Sequence, residues 1–296
     1  MSLLRRRPQA PRDPTIDDIK RFALNPANRQ VFAAALAEIL PEYTRWTWGQ
    51  PGLYRDYFDL WQRAGFNLTP NHYYSPLPDM SSLSDEALAK PFGLIGIDMR
   101  EEAQLALLER LGAGYGAEYA RLEEEEDPAR EGRFFFGNGA FERVDAEILY
   151  AMVRHFKPRR VIEIGSGYST LITARACTAN AAEGRPCRFV AIEPHPSDLF
   201  KHPIQGLSEL RAIRLEEASL AEFEALAEGD ILFIDSSHVV KRGNDVETAF
   251  FDIIPRLGPG VVVHLHDIFL PAPYPPEWLR REHVFWNEQY VLAAFL

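Results

Sequence analysis

From residue 160 onward the chain alternates short, mostly apolar runs with stretches of helical periodicity, and this alternation most constrains its fold. "RVIEIG" (160–165) reads as a buried strand and "STLITARACTANA" (169–181) as the helix after it. "CRFVAIEP" (187–194), "LRAIRLEE" (210–217), "DILFIDSSH" (230–238) and "GVVVHLHDIF" (260–269) read as four further strands. Between and after them lie three helical patterns. "SLAEFEALAEG" ends at Gly229, "NDVETAFFDIIPRL" turns Val246, Phe250 and Ile253 inward, and "PEWLRREHVFWNEQYVLAAFL" closes the chain. Ahead of the first strand, "FERVDAEILYAMVRHFK" puts Phe141, Val144, Ile148, Met152 and Phe156 on one helical stripe, which Pro158 stops. Continuous apolar strands joined through helices imply an α/β fold, with a parallel sheet covered on both faces.

The first part of the chain has another rhythm. "NRQVFAAALAEIL" (28–40), "LYRDYFDLWQRAGF" (53–66) and "EEAQLALLERL" (101–111) are helical, the last with Leu105, Leu108 and Leu111 at helical spacing. "NLTPNHYYSPLPD" (67–79) is rich in proline and aromatics and reads as an irregular loop. The charged stretch "EEEEDPAREGR" (123–133) carries the helix-breaking Pro128. It divides a helical, aromatic-rich extension, residues 1–130, from an α/β domain, residues 131–296.

Hydrophobic residues make up 46% of the 296, enough for an ordinary globular core. The formal charge of −11 repels phosphate backbones and argues against a nucleic-acid partner. The short basic cluster Arg5–Arg7 reads as a tail. No apolar run approaches the ~20 residues of a membrane span, and no secretory signal is visible. The 2 cysteines, Cys177 and Cys187, form no CxxC and fit a reducing cytoplasm.

The turn "GSGYST" after the first strand is the first candidate site. In an open α/β sheet, ligands bind beyond the carboxyl ends of the strands. Gly165 and Gly167 permit a tight turn and close approach to the backbone. Ser166 lies between them. Ser169 or Thr170 is placed to cap the next helix, whose N-terminus offers free N–H groups. A dinucleotide fingerprint would carry glycine where Thr170 stands, and the acid Glu163 in the strand opposes a pyrophosphate. A cationic ligand without phosphate suits it better, and S-adenosylmethionine is one. Glu193 ends the second strand, where an acid can accept hydrogen bonds from both ribose hydroxyls.

Together, "VIEIGSGYST", "FVAIEP", "ILFIDSSHVV" and "VHLHDIF" resemble the class I S-adenosylmethionine-dependent methyltransferases. The resemblance is to a bacterial branch carrying E-I-G-S-G-x-S-T, F-I-D-S-S-H and H-D-I-F in that order. It covers roughly residues 134–296, and "YYSP" (73–76) and "WNEQY" (286–290) also look like parts of that branch. The resemblance implies a Rossmann-like sheet, S-adenosylmethionine as methyl donor and an acceptor that the motifs leave open. The usual core of that family ends with two further strands. This chain stops near the helix after the fifth, so truncation or loss of those strands is an expectation.

"DSSH" and "HDIF" end the fourth and fifth strands, which should be neighbours. Asp235, Ser236, His238, His266 and Asp267 therefore meet at one edge. Two carboxylates about 4 Å apart repel by roughly 4 kcal/mol at an effective dielectric of 20, which a proton, a cationic ligand or a metal relieves. Three readings stand. Asp235 and Asp267 hold a divalent cation, Mg²⁺ by resemblance to catechol and macrolide-sugar O-methyltransferases, although Ile268 stands where that pattern often has another acid or asparagine. Alternatively His238 or His266 takes the acceptor's proton without a metal. In the third reading the acids cap helices and the histidines satisfy loop carbonyls. His264 reads as a packed core histidine. "NHYYSP" and "PYPPEWL" either line an acceptor pocket or pack the two halves together.

The sequence thus predicts an S-adenosylmethionine-dependent methyltransferase acting on a hydroxyl of a sugar or small secondary metabolite. Glu163, Gly165, Ser166, Gly167, Ser169, Glu193, Asp235 and Ser236 are expected to bind the donor, and His238, His266 and Asp267 to serve catalysis. A nicotinamide-dependent oxidoreductase and a non-catalytic donor-binding module with a truncated core are the alternatives. An open sheet edge would invite homo-oligomers.

Overall fold

A computed structural model describes residues 14–44, 53–125 and 132–296. Arg5–Arg7 and Pro128 lie outside the described residues. The chain divides into two compact units, residues 1–83 and 84–296. The first contains helices α1 (Ile16–Leu24), α2 (Arg29–Thr44) and α3 (Leu53–Arg63), followed by an irregular segment. Helix α1 starts in a capping box: the Thr15 hydroxyl accepts from the Asp18 amide at 3.2 Å, and the Thr15 amide donates to Asp18 at 3.0 Å.

The second unit opens with α4 (Asp85–Ala89), α5 (Glu101–Tyr119) and α6 (Arg143–Phe156). It continues through β1 (Arg160–Ile164), α7 (Tyr168–Ala182), β2 (Arg188–Ile192), β3 (Glu209–Arg211), α8 (Leu220–Glu224) and β4 (Ile231–Ile234). Then come α9 (Asp245–Thr248), β5 (Val262–Leu265) and α10 (Glu288–Phe295). The five strands form one parallel sheet in the order β3-β2-β1-β4-β5. The fold is therefore the Rossmann-like α/β arrangement that the sequence led us to expect.

Alternation along the strands builds two cores, because successive side chains point to opposite faces. Val161, Phe189, Ile231 and Phe233 face α6 and α7, meeting Leu149, Val153, Leu171 and Ile172. Ile162, Ile164, Val190, Ile192, Leu232 and Ile234 face the other way, against Leu215, Phe223, Ala249 and Ile253. Glu163 shares the first face with Val161, and that places it under the start of α7.

Two polar devices fasten this frame. The buried Asp230 carboxylate accepts the amides of Arg159 and Arg160 with one oxygen, at 3.0 and 2.9 Å, and that of Ala227 with the other, at 3.0 Å. It pins the starts of β1 and β4 together. Arg154, buried on α6, donates to Glu118 of α5 at 2.7 Å and also contacts Asn180 of α7 and Glu183 just after it. Tyr150 adds its hydroxyl to Glu118 at 2.8 Å.

Several elements depart from the sequence expectation. On α6, Val144 is 70% exposed, and the fully buried face is Ala146, Leu149, Tyr150 and Val153. The helix is wedged between α5 and α7, and Tyr150 and Arg154 can be buried because Glu118 satisfies their polar ends. On α5 only Leu111 of the leucine trio is buried. The "LRAIRLEE" strand pairs over three residues only, after which Leu215–Glu217 forms a 3-10 turn. The single helix expected at 244–257 is α9, a π turn over Ala249–Ile253 and a 3-10 turn over Ile254–Arg256. Pro255 has no N–H to continue an α-helix. The C-terminal helix is likewise interrupted: a π turn over Trp278–Glu282 is followed by non-helical residues before α10.

Candidate functional site

A cavity of about 750 Å³ lies beyond the carboxyl ends of β1, β2 and β4. Gly165, Ser166, Gly167, Ser169, Glu193, Asp235 and Ser236 all line it. It sits between β1 and β4, where the strand order reverses, which is where ligands bind in such sheets.

The two glycines do different jobs. Gly165 has φ +98°, and a Cβ there would lie 1.8 Å from the Asp235 carbonyl oxygen. Its lack of a side chain lets the end of β4 close against β1. Gly167 has extended backbone and open space within 4 Å of where a Cβ would stand. A side chain there would fit the backbone and fill the cavity instead. The Gly167 amide donates to the Thr170 hydroxyl at 3.0 Å, so Thr170 rather than Ser169 closes the start of α7.

Ser169 has another partner: its hydroxyl donates to Glu163 at 2.6 Å. Glu163 is fully buried one layer beneath the turn and does not line the cavity. Burial pushes its pKa up to about 8 against the opposing hydrogen bonds of Ser169 and Thr170, with Asp235 and Glu193 adding to the rise. Its carboxyl is thus largely protonated near neutrality, and the argument that its charge repels a pyrophosphate is corrected. The acids that do face the cavity are Glu193, Glu216, Asp235 and Asp245, against Arg214 and Lys241. Glu193 is half-buried and accepts the His195 amide at 2.7 Å with one oxygen.

The fit to a small polar ligand shows in orphaned atoms. The hydroxyls of Ser166 and Ser236 are buried, line the cavity and have no hydrogen-bond partner. Buried polar groups without partners cost about 1–3 kcal/mol each, a cost that water or a ligand entering the cavity relieves. Ile192 and Leu215 add apolar wall.

The second constellation lies beside this cavity. His238 and Asp267 both adopt left-handed backbone, with φ of 56° and 54°. Nε2 of His238 is 3.3 Å from Asp235 Oδ1 and 3.9 Å from Asp267 Oδ2, while Nδ1 is 2.9 Å from Glu288 Oε2. Trp286 stacks over the ring at 4.1 Å between centroids. Burial alone would lower the His238 pKa, but the hydrogen bonds to Asp235 and Glu288 overcome it and raise it to about 9. Both nitrogens of the His238 ring thus face carboxylates. His266 Nε2 lies 3.7 Å from Asp267 Oδ1, with its ring against Phe141 at 4.9 Å. Burial raises the Asp267 pKa, opposed by His266 and His238. His264 packs edge-on to Phe233 at 4.9 Å, and burial together with His266 lowers its pKa to about 4, as suits a core histidine.

Mg²⁺ takes oxygen ligands at about 2.0–2.1 Å in an octahedron; the expected pair, Asp235 and Asp267, offers two carboxylates, with oxygens at 3.3 and 3.9 Å from His238 Nε2. Among the described residues no group of three or more His, Cys, Asp or Glu side chains is arranged to hold a metal.

The sequence reading missed Phe141, Leu215, Lys241, Asn244 and Asp245 as cavity residues, and Glu288 as the partner of His238. Asn244 had a visible signal, since it opens a helix; its side chain accepts the Glu247 amide at 3.1 Å. Asp245 accepts from the Ser237 amide at 2.9 Å. The aromatics of "PYPPEWL" join a packed group: Tyr274 meets Trp278, Trp286 and Tyr290 at 5.9–6.5 Å. In the first unit, Tyr73 and Tyr74 of "YYSP" are exposed.

A parallel α/β sheet with an open glycine turn, an acid ending β2 and polar groups at the strand crest defines a Rossmann-like protein with a polar cavity at its strand ends. Residues 162–268, from β1 to the turn after β5, match the family described as a methyltransferase domain. An uncharacterized protein of Archaeoglobus fulgidus is 32% identical over 181 residues, spanning 57% of this chain and 78% of its own length. Over residues 162–268 the chain thus resembles a methyltransferase domain. Among the described residues, no helix is long and apolar enough to cross a membrane.

Proposed function

We propose that the protein transfers a methyl group from S-adenosylmethionine to a hydroxyl of a small acceptor, such as a sugar or secondary metabolite, with residues 131–296 as the catalytic domain. The observation that carries this reading is the cavity itself. It joins Glu193, the open Gly167 bend and the unpartnered hydroxyls of Ser166 and Ser236 in one acid-rich space.

In this reading Glu193 accepts the ribose hydroxyls with its remaining lone pairs. Ile192 and Leu215 give apolar surface for a purine. The bend Gly165–Gly167 and the amides opening α7 receive the amino-acid end, and Asp235 and Ser236 complete its polar surroundings. Glu163 holds Ser169, and so the bend, from below. When bound, S-adenosylmethionine supplies a methyl carbon already activated by its sulfonium. The chain then has to align the acceptor oxygen and take one proton, and alignment contributes several kcal/mol. The His266–Asp267 pair at the adjoining crest is the proton acceptor.

Calorimetry of the full chain with S-adenosylmethionine, beside NAD⁺, tests the donor. Micromolar binding of the methyl donor, none of NAD⁺, and loss of binding in Gly167→Arg are expected. A folded protein that gives no heat at high micromolar donor overturns the reading. Transfer to a panel of hydroxylated sugars and phenols tests catalysis; binding without transfer would favour a non-catalytic donor-binding module.

A further inference from the structure

The two cysteines have no part in the proposed reaction, and the fold brings them together. Cys177 lies on the inward face of α7 and is buried. Cys187 stands just before β2, two residues from Phe189, and so points to the same side of the sheet. That side is the one α7 covers, and both cysteines pack into its core. There the two free thiols hydrogen-bond to one another. Neither lines the donor cavity.

The turn between them is fixed at both ends. After α7 the amides of Glu183 and Arg185 donate to the Asn180 carbonyl at 3.1 and 2.9 Å, and that of Gly184 donates to Ala181 at 3.0 Å. Gly184, at φ +76°, lets the chain reverse there. The buried Asn180 side chain donates to the Val153 carbonyl at 2.9 Å, which anchors the turn to α6. On the other side, the Arg188 amide donates to the Arg159 carbonyl at 2.8 Å and starts the pairing of β2 with β1. Two thiols held in contact by a rigid turn need little backbone movement to bond, and that movement is what weakens badly placed disulfides. A closed zinc site needs four ligands, and among the described residues no group of three or more His, Cys, Asp or Glu is arranged to hold a metal.

We propose that Cys177 and Cys187 form a reversible disulfide that staples α7 to the start of β2 within the native fold, closed by a low-molecular-weight disulfide such as oxidised glutathione. Cys187, the half-buried sulfur, reacts first. Its thiolate attacks one glutathione sulfur, the S–S bond of the oxidant breaks, and one glutathione leaves as its thiolate. Cys177 then attacks the Cys187 sulfur and expels the second glutathione. Two protein thiols are oxidised, one glutathione disulfide is reduced to two thiols, and the two protons pass from the protein to the released glutathiones. The contact with Cys187 and burial hold the Cys177 thiol well above its ordinary range, so the second step is the slower one. The inference stands apart from the proposed methyl transfer: the bond would lie about 10 Å along α7 from Thr170 and the donor turn.

The test is to incubate the full chain with oxidised glutathione at pH 8, quench it with maleimide in denaturant, and read intact mass and a peptide map. The expected product is monomeric, lacks two hydrogens and takes up no maleimide. It yields one peptide pair joined through Cys177 and Cys187, which dithiothreitol separates. Cys177→Ser should stop at one glutathione on Cys187, and Cys187→Ser should take up none while folded. If either variant fails to fold, the mapped parent decides alone. Closure should raise Tm by at least about 3 °C, because the cross-link constrains the unfolded chain. A parent that ends with glutathione on Cys187 and no bridge overturns the proposal. So does a bridge that forms only in urea or between two chains, or an oxidised chain that melts below the reduced one. Zn²⁺ that at micromolar concentration shields both thiols of the reduced chain from maleimide overturns it as well, by making the pair a metal site.

Discussion

Glu288 and His238 lie 50 residues apart in sequence and 2.9 Å apart in space. The contact joins the last helix to the turn after β4, and it makes the C-terminal segment part of the strand crest. It also carries a pH signature. The folded pKa of His238, about 9, lies above its ordinary 6.5. Its contribution is therefore fully present below pH 6.5 and is lost as pH rises through about 9. The shift corresponds to roughly 3 kcal/mol. Chemical denaturation across pH 6–10 should show stability falling over that window, and His238→Gln should flatten the fall. An unchanged slope in the variant counts against the ion cluster.

Glu163 gives a second titration of the same sign but in another window. Its folded pKa of about 8 exceeds its ordinary 4.5, because the side chain is buried. The folded protein holds this proton more tightly, so stability is complete below pH 4.5 and falls as pH rises toward 8. Glu163→Gln keeps the bond from Ser169 and removes the ionisation. It should match the parent at pH 5 and exceed it at pH 8 by at least about 1 kcal/mol. Loss of stability at both values would show that the carboxyl is ionised and partnered after all.

The glycines separate fold from binding. Gly165→Ala adds a Cβ that meets the Asp235 carbonyl at 1.8 Å in a backbone with φ +98°. It should cost at least about 3 kcal/mol, read as a large drop in Tm or failure to accumulate. Gly167→Ala meets nothing within 4 Å. Its Tm should stay within a few degrees of the parent, while donor affinity measured by calorimetry falls. Equal effects of the two substitutions on Tm would refute this division.

How much of this was legible in the sequence follows from what each residue's neighbours contribute. The central strands are largely apolar on both faces, and a run such as Ile231–Ile234 admits few other readings. The glycine turn and the acid ending β2 were legible because each directly follows a strand that its apolar residues mark. The inward face of α6 was not, because Tyr150 and Arg154 are buried only through Glu118, a residue of another helix. That Ser169 would bond one oxygen of Glu163 beneath the turn was not legible either. The partner of His238 was not legible for the same reason: Glu288 comes from α10, which no local pattern connects to it.

Asp230 offers a test of the frame away from the cavity. Its two carboxylate oxygens take three backbone amides, from Arg159, Arg160 and Ala227, at 2.9–3.0 Å in a buried setting. Asp230→Ala leaves those donors without a partner at the start of β1 and β4, and each unmet buried donor costs about 1–3 kcal/mol. Water reaching the strand ends will soften the sum, so a loss of about 3 kcal/mol in urea denaturation is expected. Asp230→Asn retains one acceptor oxygen and should lose less than the alanine variant. Donor affinity of the folded fraction should stay near the parent value in both, since the carboxylate touches the amino ends of the strands and the ligand cavity lies at the carboxyl ends. A variant that kept its stability yet lost donor binding would place Asp230 in the site and contradict this account.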